Sequence, residues 1–225
     1  MQTAHASLST QTAPNVALLR NTPAPRTTPE LGTARTVTKD EEIFVEGDRA
    51  AYFYKVVSGA VRTFKLLSDG RRQIDAFHLP GDIFGLEPGD EHRFSAEALG
   101  DATIIAYRRC SLDVLASRDQ AFANQVIASM MRSLERAQDH MLLLGRKHAL
   151  EKIATFLLVL SERLTENSHV DLPMSRIDIA DHLGLTIETV SRSLTQLERQ
   201  GIIELPAHRR SIVLRNKAAL ERLEA

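Results

Sequence analysis

Side chains that can hydrogen-bond to the edges of DNA bases lie close together between residues 187 and 192. Glu188 can accept a hydrogen bond from the N4 amino group of cytosine, and Arg192 can pair with O6 and N7 of guanine. The same run contains Ile187, Thr189 and Ser191. The buried face of a helix is predicted from apolar residues that recur every three or four positions: Val190, Leu194 and Leu197. The polar run would then face outwards at the N-terminal end of that helix, the end from which a recognition helix reads bases.

A second, shorter helix is predicted just before this run. Ser175 is placed to cap it, with Asp178 three residues on, and Gly184 ends it because glycine adopts the left-handed conformation without a Cβ clash. Thr186 is placed to cap the helix that follows. The inward face of the first helix is predicted to consist of Ile177, Ile179, Ala180 and Leu183. The pattern favours a helix-turn-helix over an ordinary helical hairpin with a solvated charged face.

A β-hairpin with a basic tip is predicted after Gly201. Two apolar runs, 202–205 and 211–214, flank a turn that contains Arg209 and Arg210. Residues 186–217 contain six basic and three acidic side chains, so the local charge is positive although the whole chain carries −1. The hairpin is typical of a winged helix. The predicted phosphate contacts, which give affinity and register but little sequence information, are Ser175, Thr186, Thr189, Arg209 and Arg210.

The composition is that of an ordinary globular protein, because 43% of its 225 residues are hydrophobic and 25% are charged. No apolar run is long enough to span a membrane, and no secretory signal is visible, so a cytoplasmic location is expected. Cys110 is the only cysteine. It is predicted to be a small buried residue, since a lone cysteine can form no internal disulfide and an iron–sulfur cluster usually takes about four thiolates.

Short β-rich runs separated by glycine-containing turns occupy residues 34–109 and predict a jelly-roll-like β-roll. No glycine-rich phosphate loop leads from a strand into a helix, so a doubly wound enzyme fold is not supported. An enzyme on a cupin-like β-roll would need a cluster of His and Glu ligands in the strands, and none is visible. We therefore expect that the protein is not an enzyme.

Residues 111–145 change to a helical period. Apolar residues in steps of three and four form a seam: Ile127, Met130, Leu134, Ala137, Met141 and Leu144. A single stripe could pack on the β-roll. However, Val126, Met131 and Leu142 add apolar positions beside the seam, which favours one face for the β-roll and another for a second copy in a homodimer.

The predicted fold class is α+β, with an N-terminal β-roll, a long dimerisation helix and a C-terminal winged helix-turn-helix. The predicted divisions are a flexible tail over 1–30, the β-roll over 31–110, the dimerisation helix over 111–147 and the DNA-binding domain over 148–225.

This order of parts resembles the CRP/FNR superfamily of bacterial transcription regulators. Two motifs of the β-roll resemble the superfamily: Glu46-Gly47-Asp48 and the run Leu-Pro-Gly-Asp-Ile-Phe-Gly over residues 79–85. The second helix of the helix-turn-helix contains Glu-Thr-Val-Ser-Arg over residues 188–192, and this motif is similar to that of the FNR/FixK branch. The resemblance implies that Glu188, Ser191 and Arg192 read a TTGA half-site of an inverted repeat, with Ile187 against a thymine methyl group. It also implies contact with RNA polymerase, for which the β-roll loops 68–72 and 86–93 are candidates.

Two departures from the family pattern concern the effector that would control the protein. Cyclic-nucleotide binders carry a glutamate after Phe-Gly and an arginine for the phosphate, whereas this chain has Leu86 and an out-of-register Arg93. Residues 1–40 lack the cysteine cluster of the oxygen sensor FNR. A FixK-type activator of oxygen-limited metabolism without a cofactor is therefore expected. The alternative is a sensor that binds haem or a small metabolite in the β-roll, with His78 and His92 as conceivable ligands.

Overall fold

The structure is a computed structural model that describes residues 32–109, 117, 119–164, 169–206 and 211–224. The predictions for the tail over 1–30, for Cys110, for Arg209 and Arg210, and for the start of the helix at 111–116 lie outside the described residues.

The β-roll consists of two four-stranded antiparallel sheets, in the strand orders β1-β8-β3-β6 and β2-β7-β4-β5. Its strands are Gly32–Val37 (β1), Glu42–Phe44 (β2), Tyr52–Ser58 (β3), Val61–Leu66 (β4), Arg72–His78 (β5), Ile83–Phe84 (β6), Ser95–Ala98 (β7) and Ala102–Arg108 (β8). The predicted jelly-roll-like β-roll is confirmed. Strands β1, β6 and β7 were not recognised as individual runs in the sequence. For β6 and β7 the reason is their length, since two and four residues are too few to show alternation.

Five helices and a three-stranded sheet follow the β-roll in the described part of the chain. The helices are Gln120–Arg146 (α1), Ala149–Leu164 (α2), Arg176–Leu183 (α3), Ile187–Arg199 (α4) and Lys217–Glu224 (α5). The sheet has the order β10-β11-β9 and is formed by His169–Asp171 (β9), Ile203–Glu204 (β10) and Ser211–Leu214 (β11). The predicted winged helix-turn-helix is confirmed, and the wing sheet gains a third strand, β9, in which His169 pairs with Val213.

The long helix α1 begins at Gln120, where Asp119 caps it. Asp119 has extended backbone, with φ of −135°, and its carboxylate accepts a hydrogen bond from the Phe122 N–H at 2.9 Å. One face of α1 packs on the β-roll through Val126, which lies against Phe53, Ile83 and Tyr107. The Ser129 hydroxyl accepts a hydrogen bond from the Ile83 N–H at 3.2 Å.

A row of rings fills the inside of the β-roll. Phe44 stacks on His92 with ring centroids 3.7 Å apart, and Tyr54 stacks on Phe84 at 5.3 Å. His78 lies against the other side of Phe84, at 4.9 Å. Every one of these five side chains is buried. The interior of the roll is therefore a packed aromatic core, as expected for a folded domain at ordinary interior density.

The β-roll and the helix-turn-helix are joined by buried ion pairs. Asp178 of α3 accepts hydrogen bonds from Arg62 of β4 at 3.1 Å and from Arg72 of β5 at 2.6 Å. Arg72 also pairs with Asp181, one turn further along α3, at 2.8 Å. The Asp178 side chain is only 6% exposed. We call Arg62, Arg72, Asp178 and Asp181 the interdomain clamp.

Burial works to raise the pKa of Asp178, but hydrogen bonds from Ser175 and the charges of Arg62 and Arg72 outweigh it and leave the pKa below its ordinary value. A carboxyl whose pKa is depressed on folding contributes stability above its unfolded pKa, which is about 4. The clamp is therefore intact at neutral pH and weakens only as the pH falls through the folded pKa.

Two histidines at the junction of the domains are held in the neutral form by burial. Burial lowers the pKa of His78 to about 4, with Arg136 and Arg163 also acting to lower it against Asp82. Burial and the neighbouring His140 lower the pKa of His182 to about 3, although its Nδ1 lies 3.1 Å from the Ile74 carbonyl oxygen.

Lowering the pH from 7 to 5 is expected to destabilise the fold by about 1–2 kcal/mol for each of His78 and His182. The unfolded histidines take up protons near pH 6.5, at roughly their ordinary pKa, whereas the folded ones do not until about 4 and about 3. The contribution of the two histidines to the free energy of unfolding is therefore complete above the unfolded pKa of about 6.5 and decreases as the pH falls below it. Urea unfolding at pH 7, 6 and 5 measures it. The His78→Phe variant should show a shallower dependence, and an unchanged slope would contradict the neutral buried imidazole.

Replacing Asp178 with asparagine is expected to lower the free energy of unfolding by about 2 kcal/mol, because two arginines lose a buried counter-charge while Arg62 keeps Glu97 and Arg72 keeps Asp181. Asp181→Asn is the matched control. Asp181 is 25% exposed and contacts Arg72 alone among the clamp arginines, so its loss should cost about 1 kcal/mol or less. Ser175→Ala removes only the cap contact, worth about 1 kcal/mol. Urea midpoints at pH 7 give the three values, and equal losses for Asp178→Asn and Asp181→Asn would count against the clamp.

Candidate nucleic-acid interface

The turn between α3 and α4 is built by the residues that the sequence analysis assigned to it. The Ser175 hydroxyl accepts a hydrogen bond from the Asp178 N–H at 3.2 Å, and the Asp178 carboxylate accepts one from the Ser175 N–H at 2.9 Å, which is a complete capping box. Gly184 ends α3 with φ of +63°. Thr186 caps α4 by accepting a hydrogen bond from the Thr189 N–H at 3.2 Å.

The inward face predicted for α3 is correct at Ile179, Ala180 and Leu183 but wrong at Ile177. Ile177 is 54% exposed, whereas the three others are buried in the core. The fourth inward position is taken by Asp178, because the β-roll presents two arginines to this side of the helix. An acidic residue is usually exposed, so its burial followed only from the contact between the domains.

Helix α4 divides into a buried and an outward face. Val190, Leu194 and Leu197 are buried, as predicted, and Ser193 joins them. On the other side Glu188 and Arg192 are exposed and Ile187 is 40% exposed. Thr189 and Ser191 are half-buried at its edge. The structure thus brings the predicted base-reading residues, Ile187, Glu188, Ser191 and Arg192, to the N-terminal end of one exposed helix.

The carboxylate of Glu188 is held at the start of α4. Its own backbone N–H and the Thr186 side chain hydrogen-bond to it and, with the nearby charge of Arg192, keep the pKa of Glu188 below its ordinary value. The side chain is therefore an ionised hydrogen-bond acceptor at neutral pH. An acceptor is what the exposed N4 amino group of cytosine requires.

Two further side chains belong to this surface and were missed by the sequence analysis. The Arg176 guanidinium lies 3.5 Å from the Ser191 hydroxyl. Gln196 is exposed four residues after Arg192 and continues the same outward stripe, which ends at Arg199. The spacing of Arg192, Gln196 and Arg199 at three and four residues was the signal that could have identified the stripe.

The positive charge of the region is smaller than the residue count indicated. Arg215 pairs with Glu204 across the wing strands, with Nε and Oε2 2.8 Å apart, and Lys217 lies 3.7 Å from Glu162 of α2. Both cations therefore have protein partners. Among the predicted phosphate contacts, Ser175 and Thr186 are exposed cap residues and Thr189 is half-buried.

A stripe of large apolar side chains runs along the face of α1 that points away from the β-roll. The predicted seam residues Ile127, Met130, Leu134 and Met141 are 52–66% exposed, and Ala137 is also exposed. Met131 and Leu142 widen the stripe, whereas Val126, predicted beside them, is buried against the β-roll. Leu144 is half-buried, next to the turn at Gly184. Soluble monomers rarely expose so continuous an apolar surface.

The residues at the family's cyclic-nucleotide position do not fit that ligand. Leu86 packs on the apolar cluster of Phe53, Ile83 and Val126 and offers no acceptor for a ribose hydroxyl group. Arg93 is exposed and its guanidinium lies over the Phe94 ring, 6.0 Å from the centroid.

The histidines conceived as ligands are separated by the aromatic row. His92 stacks on Phe44, and His78 lies beside Phe84 with its Nε2 3.0 Å from the Thr63 hydroxyl. In the described part of the chain, no group of three or more His, Cys, Asp or Glu side chains is arranged to hold a metal ion. In the same residues, no helix is both long and apolar enough to cross a membrane.

Two family models match the chain. A Crp-like helix-turn-helix domain matches residues 151–223, and a cyclic nucleotide-binding domain matches residues 34–119. The nitrogen fixation regulation protein FixK of Azorhizobium caulinodans is 50% identical over 200 residues, which cover 87% of this chain and 80% of that protein. The transcriptional activatory protein AadR of Rhodopseudomonas palustris is 45% identical over 168 residues, covering 72% and 70% of the two chains.

Solved structures show the same architecture. FixK2 from Bradyrhizobium japonicum superposes with a TM-score of 0.81 at 53% identity, covering 87% of this chain and 98% of that chain. A CooA mutant from Carboxydothermus hydrogenoformans, at 21% identity and a TM-score of 0.74, covers 86% and 88% and shares the fold. The fold, the capped helix-turn-helix and these relatives together show that the chain belongs to the CRP/FNR family of DNA-binding transcription regulators, in its FixK branch.

Proposed function

We propose that two copies of this chain bind an inverted-repeat TTGA…TCAA site and activate transcription from it. The observation that carries the proposal is the outward N-terminal end of α4, where Glu188 and Arg192 are exposed and Ser191 lies half-buried at the edge. Each half-site contains one G·C pair. Arg192 pairs with O6 and N7 of the guanine, and Glu188 accepts from N4 of the cytosine opposite. Ile187 contacts a thymine methyl group.

The phosphate contacts fix the register of the helix on the duplex. Ser175, Thr186 and Thr189 lie at the start of α3 and α4. Arg209 and Arg210, which lie outside the described residues, are proposed from the sequence as further phosphate contacts. Backbone contacts of this kind add affinity for every sequence and do not distinguish bases.

A homodimer places two recognition helices on one face of the DNA. The exposed stripe of α1 supports this arrangement, because pairing two stripes removes their apolar surface from water. The recognition helices of a two-fold dimer enter successive major grooves about 34 Å apart. An inverted repeat matches that symmetry.

The regulator acts without a cyclic nucleotide, an iron–sulfur cluster or another cofactor. The aromatic core of the β-roll and the apolar contacts of Leu86 support this part of the proposal. Relatives at 44–50% identity are named nitrogen fixation regulation proteins, and others are named transcriptional activators, which supports a role in oxygen-limited metabolism. We infer a cytoplasmic regulator with no catalytic activity.

RNA polymerase is the proposed second partner, through exposed β-roll loops. Residues 68–71 and 88–91 are exposed, whereas Arg72, within the predicted loop 68–72, pairs with α3 instead. The proposed division of the chain is a tail over 1–30, a sensor-type β-roll over 31–110, a dimerisation helix over 111–147 and a DNA-binding domain over 148–225.

Replacing Arg192 with alanine is expected to weaken binding to a symmetric TTGA/TCAA duplex by about 1–3 kcal/mol for each lost guanine contact. The variant should also lose its preference for the G·C pair. Arg209→Ala is the contrast, since it should weaken binding to all sequences alike. Fluorescence anisotropy with purified protein and no added ligand or metal measures both. Unchanged affinity of Arg192→Ala for the TTGA site would refute the assignment.

Replacing Leu134 with glutamate is expected to convert the dimer to monomers and to lower affinity for the inverted repeat, because a charge enters the centre of the apolar stripe. The control is Arg132→Glu, which reverses a charge on the same helix away from the seam and should leave the dimer intact. Sedimentation equilibrium gives the mass of each variant. A Leu134→Glu protein that still sediments as a dimer would place the interface elsewhere.

A further inference from the structure

A cavity of about 190 Å³ lies between the β-roll and the helix-turn-helix. Its walls come from the end of β5, the C-terminal half of α1, the middle of α2 and the last turn of α3. It lies beside the row of rings that fills the inside of the β-roll, and His78, at the end of that row, also lines the cavity. A ligand here would contact both domains at once.

The wall of this junction cavity is mainly apolar. Phe77, Leu143, Phe156, Leu160 and Leu183 all line it and are all buried. A cavity of roughly 150 Å³ with similar aliphatic and aromatic walls holds a benzene molecule. The available space therefore suits one planar ring with a small substituent.

The charged side chains around the cavity are exposed or already paired. Asp75 and Asp139 are exposed at its mouth. Arg136 and Arg163 both hold Asp82, and Arg163 also donates to the Phe77 carbonyl oxygen at 3.2 Å. A charged ligand would have to displace Asp82, so the cavity favours an uncharged one.

Three imidazoles are among the polar groups of the wall, beside Ser133 and Thr155, which hydrogen-bond to Arg136 and Lys147. His78 Nδ1 and His140 Nε2 are buried and have no hydrogen-bond partner in the described structure. Each such buried polar atom costs about 1–3 kcal/mol when it lacks a partner. His182 lies 4.0 Å from His140 between ring centroids. Because its Nδ1 faces a carbonyl oxygen and must donate, its Nε2 is the acceptor of the neutral ring.

The arrangement of these nitrogens favours a hydrogen-bonding ligand over a metal ion. Burial lowers the pKa of His78, His140 and His182, so all three rings are neutral at pH 7 and each can donate or accept. In the described residues they form no group of three ligands suited to a metal. An uncharged group that both donates and accepts, such as a hydroxyl, matches neutral imidazole.

We propose that the junction cavity binds a small, uncharged, planar molecule that carries a hydroxyl or similar group, with phenol as the model compound. The ring packs among Phe77, Phe156 and Leu160, and the polar group hydrogen-bonds to the unpartnered histidine nitrogens. The site goes beyond the proposed DNA binding and does not depend on it.

Occupancy of the site stabilises the docked position of α3. His182 and Leu183 belong to the last turn of α3, directly before the turn that leads to α4, and the interdomain clamp holds the same helix one turn earlier. A ligand that contacts α1, β5 and α3 together therefore favours the arrangement in which the two domains are packed. The linkage follows from binding to one arrangement in preference to the other.

Titration of the full-length protein with phenol, and in parallel with benzene, tests the site by calorimetry and by the ¹⁵N shifts of the histidine rings. Phenol should bind saturably with one site per chain and move the ring signals of His78 and His140. Benzene should bind about ten-fold more weakly, because it leaves the nitrogens without partners. Unmoved histidine signals, or no saturable binding of phenol, would mean that the cavity holds water only and would overturn the proposal.

Two variants separate the cavity from the rest of the protein. Val159→Phe places a larger side chain at the exposed mouth and should abolish binding of both probes, while His140→Phe should reduce phenol binding about ten-fold and leave benzene binding unchanged. Phenol binding that survives Val159→Phe would locate the probe elsewhere. Neither measurement uses DNA, so a failure of the TTGA assay and a failure of this site are distinguishable.

Discussion

The buried carboxylate of Asp178 is the interaction on which the arrangement of the two domains depends. Its Oδ2 atom closes the capping box that starts α3, and its Oδ1 atom accepts hydrogen bonds from Arg62 and Arg72 of the β-roll. One side chain thus sets both the local geometry of the helix-turn-helix and its position on the neighbouring domain. Because a buried charge is tolerated only with its partners in place, the position of α3 is specified by the geometry of three side chains.

Helix α1 connects this junction with the proposed dimer. Its inner face is fixed by Val126, Ser129 and the pairing of Arg136 with Asp82, whereas its outer face exposes the apolar stripe. The cavity proposed to bind a ligand lies where α1 passes between the domains, and Ala137 stands both at its mouth and on the stripe. The proposed dimer surface, the cavity and the recognition helix are therefore linked by two helices, α1 and α3.

Much of the helix-turn-helix could be predicted from the sequence, because its caps, turn and apolar spacing depend on residues that are close together in the chain. Caps at Ser175 and Thr186, the left-handed Gly184 and the spacing of Val190, Leu194 and Leu197 each depend on residues within one or two turns. The short strands β6 and β7 and the pairing of His169 could not be predicted, since they are held by partners from 28 to 55 residues away along the chain. Ile177 was misassigned for a related reason: its periodicity fits the core, but the β-roll covers the other side of the helix.

The sequence by itself determined the family, the two-part architecture and the helix end that carries Glu188, Ser191 and Arg192, because caps, turns and hydrophobic periods are written in neighbouring residues. Only the tertiary structure decided which charged side chains are exposed and which pair with one another inside the protein. Arg62, Arg72 and Asp178 look like surface residues in the sequence, yet they form the contact between the domains. The neutral histidines around the junction cavity were likewise decided by folding, since burial and the absence of a hydrogen-bond partner arise only when distant elements pack together.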